Sequence, residues 1–103
     1  MNADLKAKWV AALQSGKYLK GRYYLKDSQG RYCCLGVLCE ILGKPAQNGS
    51  NIDSQTLESV LYAPVRQVLD EGNVNTLASL NDNGLRSSLD TFEEVIEYIE
   101  ASL

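Results

Sequence analysis

The 103-residue chain contains no histidine, only two prolines, and one each of tryptophan, phenylalanine and methionine. Without imidazole, a catalytic thiolate lacks its usual partner base, most hydrolase schemes lose their proton carrier, and zinc loses a common ligand. With so little proline, eight glycines and no biased tract, the chain does not read as disordered or fibrous; 45% apolar and 22% charged residues are the proportions of a globular protein. No apolar run approaches the ~20 residues that a bilayer span needs. The opening stretch MNADLKAKWVAALQSGK is amphipathic and lacks the apolar segment of a signal peptide. The expectation is a soluble, cytoplasmic protein. Nor is there a glycine-rich phosphate loop: GKPAQNGS fits neither the P-loop nor the dinucleotide fingerprint.

Three cysteines are present, all within RYCCLGVLCEILG, residues 31–43. Two are adjacent and the third follows five positions later, unlike the C-x₂₋₄-C pairs of zinc sites. On a helix, Cys34 and Cys39 point about 140° apart and Cys33 and Cys39 about 120° apart, so no two converge. No fourth cysteine completes a site. An odd count in a reduced compartment also disfavours a disulfide. Buried thiols acting as small apolar groups are the reading that remains, and no metal or cofactor is expected.

Length sets the scale of the fold. At this size roughly 60 to 70% of the extended chain's surface can be buried around one core, so residues 1–103 read as a single globular domain. Leu5, Trp9 and Leu13, joined by Ala12, form one stripe and predict a helix over 3–15. Asn2 or Asp4 stands ready to cap it, and Gly16 to end it. Trp9 reads as a core anchor. Two tyrosine-rich runs, 22–26 and 31–34, flank DSQG and predict a small β-hairpin, with Asp27 opening the turn and Gly30 at positive φ. A leucine-rich helix over 33–42 follows, buried nearly all round. It carries Gly36 where another backbone would approach, and Gly43 and Pro45 stop it.

Residues 44–56 form a polar connection. Beyond it, Pro64, Val65, Val68 and Leu69 predict a helix over 64–71 closed by Gly72. NTLASLNDNG adds a helical turn holding Leu77 and Leu80 before a turn-rich NDNG. The last helix, 90–102, has a capping-box pattern at Asp90 and Glu93 and aligns Phe92, Val95, Ile96, Ile99 and Leu103 on one face. The expected fold is therefore mainly α (α+β), a compact bundle of about four to five helices with one hairpin between the first and second.

The net charge of −3 hides a partition. Residues 1–44 carry eight basic side chains against three acidic ones; residues 45–103 carry two against ten. Such asymmetry marks a polyanion-binding face, an acidic interaction face, or two halves that attract each other. Within the basic half, Lys17, Tyr18, Lys20, Arg22, Tyr23, Tyr24, Lys26, Arg31 and Tyr32 interleave cations with aromatic rings. Cations hold phosphate oxygens while rings stack on bases. Lys17, Tyr18, Lys20, Arg22, Tyr24, Arg31 and Tyr32 are accordingly the candidate ligand-binding residues for a nucleotide or other phosphorylated small molecule. An ordinary amphipathic hairpin with snorkelling lysines is the structural alternative for the same segment. In the acidic half, Glu93, Glu94, Glu97 and Glu100 cluster on the last helix and form a candidate docking face for a basic host protein, or a mimic of nucleic acid. A homo-oligomer is a further possible assembly. An enzyme would need a concave pocket with Cys33 or Cys39 beside a buried carboxylate.

The combination of KWVAALQSGKYLKG, RYCCLGVLCEILG, LASLNDNG and the acidic helix FEEVIEYIE resembles small uncharacterised proteins of tailed bacteriophages and prophages, with YCCLGVLC its most specific part. The likeness runs over nearly the whole chain. It implies a context rather than a chemistry: a phage accessory protein in the host bacterial cytoplasm, of a kind that counters host defences or redirects host machinery by binding.

Overall fold

The computed structural model describes residues 1–21, 24–43, 65, 67–83 and 92–103. Among these the chain forms four helices, α1 (Ala3–Gln14), α2 (Cys34–Ile41), α3 (Glu71–Asn83) and α4 (Glu93–Ser102), and no strand. α1 packs on α2 and α4, and α3 packs on the same two, so the helices close a ring. The radius of gyration, 12.1 Å, is close to the ~13 Å of a compact chain this long.

Each helix begins where the local chemistry allows. At the start of α1, the Asn2 side chain accepts hydrogen bonds from the Asp4 and Leu5 N–H groups at 2.8 and 3.1 Å. This satisfies two donors that the first turn would otherwise leave open, and Asp4 adds negative charge at the positive end of the helix dipole. Trp9 and Leu13 point inward as the periodicity predicts, and the Trp9 indole donates to the Cys34 carbonyl at 3.0 Å.

α2 is the centre of the core. Cys34 through Cys39 are all buried, and Cys33 caps the helix, its sulfur accepting from the Gly36 N–H at 3.4 Å. Gly36 meets the close backbone approach that its place in an apolar helix predicts. A Cβ there would overlap the Leu25 carbonyl oxygen and stand 2.7 Å from the carbonyl carbon. Gly43, at φ 77°, ends the helix where expected.

Two expectations are corrected. The β-hairpin reduces to a tight turn and two isolated bridges, Lys20 with Tyr32 (parallel) and Lys26 with Tyr32 (antiparallel). The reason lies in how Tyr32 spends its backbone groups. Its N–H donates to Leu19 and its carbonyl accepts from Gly21, both at 2.7 Å, and α2 begins two residues later, leaving no length for a ladder. Arg22 and Tyr23, two of the five residues of the first expected strand, lie outside the described residues.

The helix expected over 64–71 does not run on to Gly72 as its stop. Val65 is helical and its carbonyl accepts from Val68 and Leu69, but residues 67–70 are not helical. Asp70 then caps a new helix, its carboxylate accepting from the Asn73 N–H at 2.7 Å, and Gly72 falls in the first turn of α3. That helix runs on through Asn83, so Asn81, Asp82 and Asn83 are helical rather than part of a turn. Pro64, and the Asp90 of the expected capping box, lie outside the described residues. The last helix starts at Glu93 behind Phe92, which makes no side-chain cap. Its apolar face is as expected: Phe92, Val95 and Ile99 are buried, and Ile96 and Leu103 pack against the core.

Candidate functional site

The candidate segment is fixed at three points. The turn is the first: Asp27 Oδ1 accepts from the Gln29 and Arg31 N–H groups, each at 2.9 Å, and Oδ2 accepts from Arg31 Nε at 2.7 Å. Burial pushes the Asp27 carboxyl upward, but the hydrogen bonds from the Arg31 and Gln29 backbones and the Arg31 guanidinium outweigh it, and the net result lies below its ordinary value.

A folded-state pKa lower than the unfolded one adds stability that is complete above the unfolded value and is lost as pH falls through the folded one. Acid titration below about pH 4 should therefore melt the wild type more steeply than Asp27→Asn. Circular dichroism melts at stepped pH compare the two.

The second point is Asn81, fully buried near the end of α3. Its side chain donates to the Gly21 carbonyl at 3.0 Å and accepts from the Cys34 N–H at 3.1 Å. Its own carbonyl accepts from Lys20 Nζ at 2.9 Å, a cation placed at the negative end of the helix. One residue thus joins the candidate segment, α2 and α3.

The third point is aromatic. Tyr18 and Tyr32 meet edge to face, with ring centroids 5.1 Å apart and planes at 84°. Lys17 Nζ lies 5.4 Å from the Tyr18 ring and Lys26 Nζ 5.3 Å from the Tyr32 ring, giving a cation–ring–ring–cation array. The Tyr32 hydroxyl donates to Glu40 Oε1 at 2.8 Å. Burial, then this hydrogen bond, raises the Tyr32 pKa.

The sequence-predicted residues therefore divide. Lys17, Tyr18 and Tyr32 come together in the array; Lys20 ties to Asn81 and Arg31 to Asp27. Tyr24 is exposed, as is Leu19, and Arg22 lies outside the described residues. Lys26, which the sequence places in the same interleaved run, belongs to the array as well.

Beside the array lies a cavity of about 350 Å³, at the lower end of the ~300–1,000 Å³ range of small-molecule sites. Leu13, Phe92 and Ile96 give it apolar walls, Gln14, Glu93 and Glu97 give it polar ones, and Gly16 and Tyr18 complete it. Two of the four acidic candidates thus face a cavity. Glu100 lines a shallower groove with Lys6, Ala7, Val10, Ala11 and Gln14, and its carbonyl accepts from Lys6 Nζ at 3.3 Å. Glu94 is half-buried.

Leu13, Gln14, Phe92 and Ile96 escape sequence reasoning as site residues, because the cavity forms only where the end of α1 meets the start of α4. A signal was present in the two apolar stripes, which end at Leu13 and begin at Phe92. The cysteines lie elsewhere. All three are buried and free of disulfides, and neither Cys33 nor Cys39 lines either cavity. Burial, with Glu40 adding to it, pushes the Cys39 thiol up to about 11. Among the described residues no cluster of histidine, cysteine, aspartate or glutamate could hold a metal ion, and no helix is long and apolar enough to cross a membrane.

A family profile described as a domain of unknown function (DUF8296) matches residues 1–63, the part holding α1, the candidate segment and α2. No curated protein and no solved structure matches the chain.

Proposed function

We propose that this chain, which belongs to the DUF8296 family, is a non-catalytic binding protein that captures an anionic small molecule of the nucleotide class between the end of α1 and the start of α4, beside the Tyr18–Tyr32 pair. The observation that carries the reading is the double position of Tyr18. Its ring belongs to the cation–ring array, and the same residue lines the cavity. Lys17, between the lining residues Gly16 and Tyr18, can meet a phosphate while a base enters the cavity. Ring stacking contributes about 1–3 kcal/mol per base, and cations hold the phosphate oxygens. Lys20 and Arg31, expected from sequence to contact ligand, shape the segment in this account, because each has a partner in the fold.

The biological setting proposed is that of a phage accessory protein in the bacterial cytoplasm, withholding a nucleotide from a host defence. Its support is the likeness of YCCLGVLC and the flanking motifs to phage and prophage proteins. A second reading, docking of a basic partner on α4, is favoured by the shared exposed edge of Glu93, Glu97 and Glu100.

Calorimetric titration with mononucleotides and cyclic nucleotides tests the first reading. Binding should be saturable and should weaken at least tenfold in Lys17→Ala and in Tyr18→Leu, about 1.4 kcal/mol or more in each. Glu100→Lys, outside the cavity, should leave it unchanged while disrupting any docking on α4. Absence of binding by every nucleotide at millimolar concentration overturns the reading.

A further inference from the structure

We infer that Glu40 is a positioning residue for the nucleotide site: through the Tyr32 hydroxyl it fixes the ring against which Tyr18 packs, and so fixes the aromatic wall of the cavity. The inference rests on the nucleotide reading above. Glu40 is the one charged side chain of α2, CLGVLCEI, and it stands in the last turn. A carboxylate there meets the negative end of the helix dipole and weakens the helix rather than supporting it. Its use lies off the helix. Glu40 Oε1 accepts from the Tyr32 hydroxyl at 2.8 Å, and a hydroxyl bonds a carboxylate more strongly than a neutral acceptor. The support is firm, because Cys34 through Cys39, which carry Glu40, are all buried.

Tyr32 does not need that bond to keep its place in the chain. Its N–H and carbonyl are committed to Leu19 and Gly21, both at 2.7 Å, so the backbone is held without help from the side chain. What remains to be held is the ring. Lys26 Nζ lies 5.3 Å from the ring centroid, and Tyr18 meets the ring at 84° with centroids 5.1 Å apart. Edge-to-face pairing depends on that angle, because the electron-poor edge of one ring must meet the electron-rich face of the other. A Tyr32 ring released by Glu40 can tip, and Tyr18 then loses the surface that orients it. Tyr18 lines the cavity together with Gly16 and Phe92, so its reorientation reshapes the wall. Glu40 lines neither the cavity nor the shallower groove, and it reaches a ligand only by way of the two rings.

Calorimetric titration of Glu40→Ala and Glu40→Gln with the 5′-monophosphates and 3′,5′-cyclic monophosphates of adenosine and guanosine tests the inference, together with tyrosine ring-proton spectra recorded without ligand. Glu40→Ala should weaken the nucleotides that bind the wild type by about fivefold or more, whereas Glu40→Gln, whose amide oxygen still accepts from Tyr32, should stay within about twofold. In a Tyr18→Leu background, Glu40→Ala should change affinity by less than about twofold, because the route through Tyr18 is already cut. The Tyr18 ring protons, displaced by the neighbouring ring in the wild type, should move toward the positions of an unpaired tyrosine in Glu40→Ala and keep their places in Glu40→Gln. Glu40 is half-buried and alanine is the best helix former, so the variants should fold, and melting curves check it. Wild-type affinity in Glu40→Ala overturns the inference. So does an equal loss in Glu40→Gln, which assigns the effect to charge, or an equal loss in the Tyr18→Leu background. Unmoved ring protons in Glu40→Ala, with the wild type binding nucleotide, overturn the inference alone; binding by none of the nucleotides overturns the reading and the inference together.

Discussion

Gly36→Ala should cost about 3 kcal/mol of stability, enough to lower the melting temperature of a domain this size by more than ~10 °C. In an exposed helix the same change would be favourable by up to about 1 kcal/mol, because alanine loses less backbone freedom on folding. Here the new methyl group would overlap the carbonyl of Leu25. That carbonyl cannot retreat freely, because it accepts a hydrogen bond from the Cys33 N–H at 3.3 Å and the Leu25 side chain is fully buried. Either α2 moves away from the candidate segment, or the bond at the start of α2 breaks.

Gly72→Ala is the natural comparison. Its Cβ would meet only the Asp70 carboxylate, at an ordinary 3.5 Å, in the first turn of α3. It should be neutral to stabilising by up to about 1 kcal/mol. Differential scanning calorimetry on the two variants should shift the transition in opposite directions; a similar melting temperature for both would show that α2 and Leu25 are not in contact.

Asn81→Ala is the second severe change expected. It removes the acceptor of the Cys34 N–H and the donor to the Gly21 carbonyl in one step, both within the buried interior. Leaving a buried polar group unpaired costs about 1–3 kcal/mol, so the pair together should cost about 2–6 kcal/mol. The Asn81→Leu variant fills the volume and restores neither bond, so it should be no better. Asn81→Asp restores the acceptor alone and buries a charge, and it should also fail. Urea unfolding monitored through Trp9, whose indole donates to the neighbouring Cys34 carbonyl, reads the loss directly. Stability within 1 kcal/mol of wild type in Asn81→Ala would remove Asn81 as the junction of the three elements.

The same residue illustrates how far a sequence can be read. Periodicity alone places the apolar faces of α1, α2 and the last helix correctly, because burial there follows a local pattern: Trp9 and Leu13, Cys34 through Cys39, and Phe92, Val95 and Ile99. Gly36 can be singled out because a glycine amid leucines in a buried helix has few other uses. Asn81 cannot. In LASLNDNG it looks like a turn former, and its role depends on Gly21 and Cys34, which lie 60 and 47 residues away.

The hairpin expectation fails for a related reason. The tyrosine runs have strand propensity, but Tyr32 pairs its backbone with Leu19 and Gly21 on the other side. Asp70 hides the start of α3 because a capping aspartate and a helix-ending glycine two residues later read locally as one stop signal. For the site, sequence brings Lys17, Tyr18 and Tyr32 into one group but cannot show that Lys20 and Arg31 are engaged within the fold, nor that Glu93 and Glu97 open onto the cavity beside Tyr18.

Tyr18 joins the cation–ring array to the cavity between α1 and α4, and the proposed site depends on it. A ¹H–¹⁵N correlation spectrum recorded during titration with mononucleotides and cyclic nucleotides puts the proposed site to the test. The account predicts saturable shifts concentrated at Gln14, Gly16, Lys17, Tyr18, Glu93 and Glu97, with the amides of Lys8 and Ser79 unmoved. Shifts confined to other surfaces, or a spectrum unchanged at millimolar nucleotide, would contradict it.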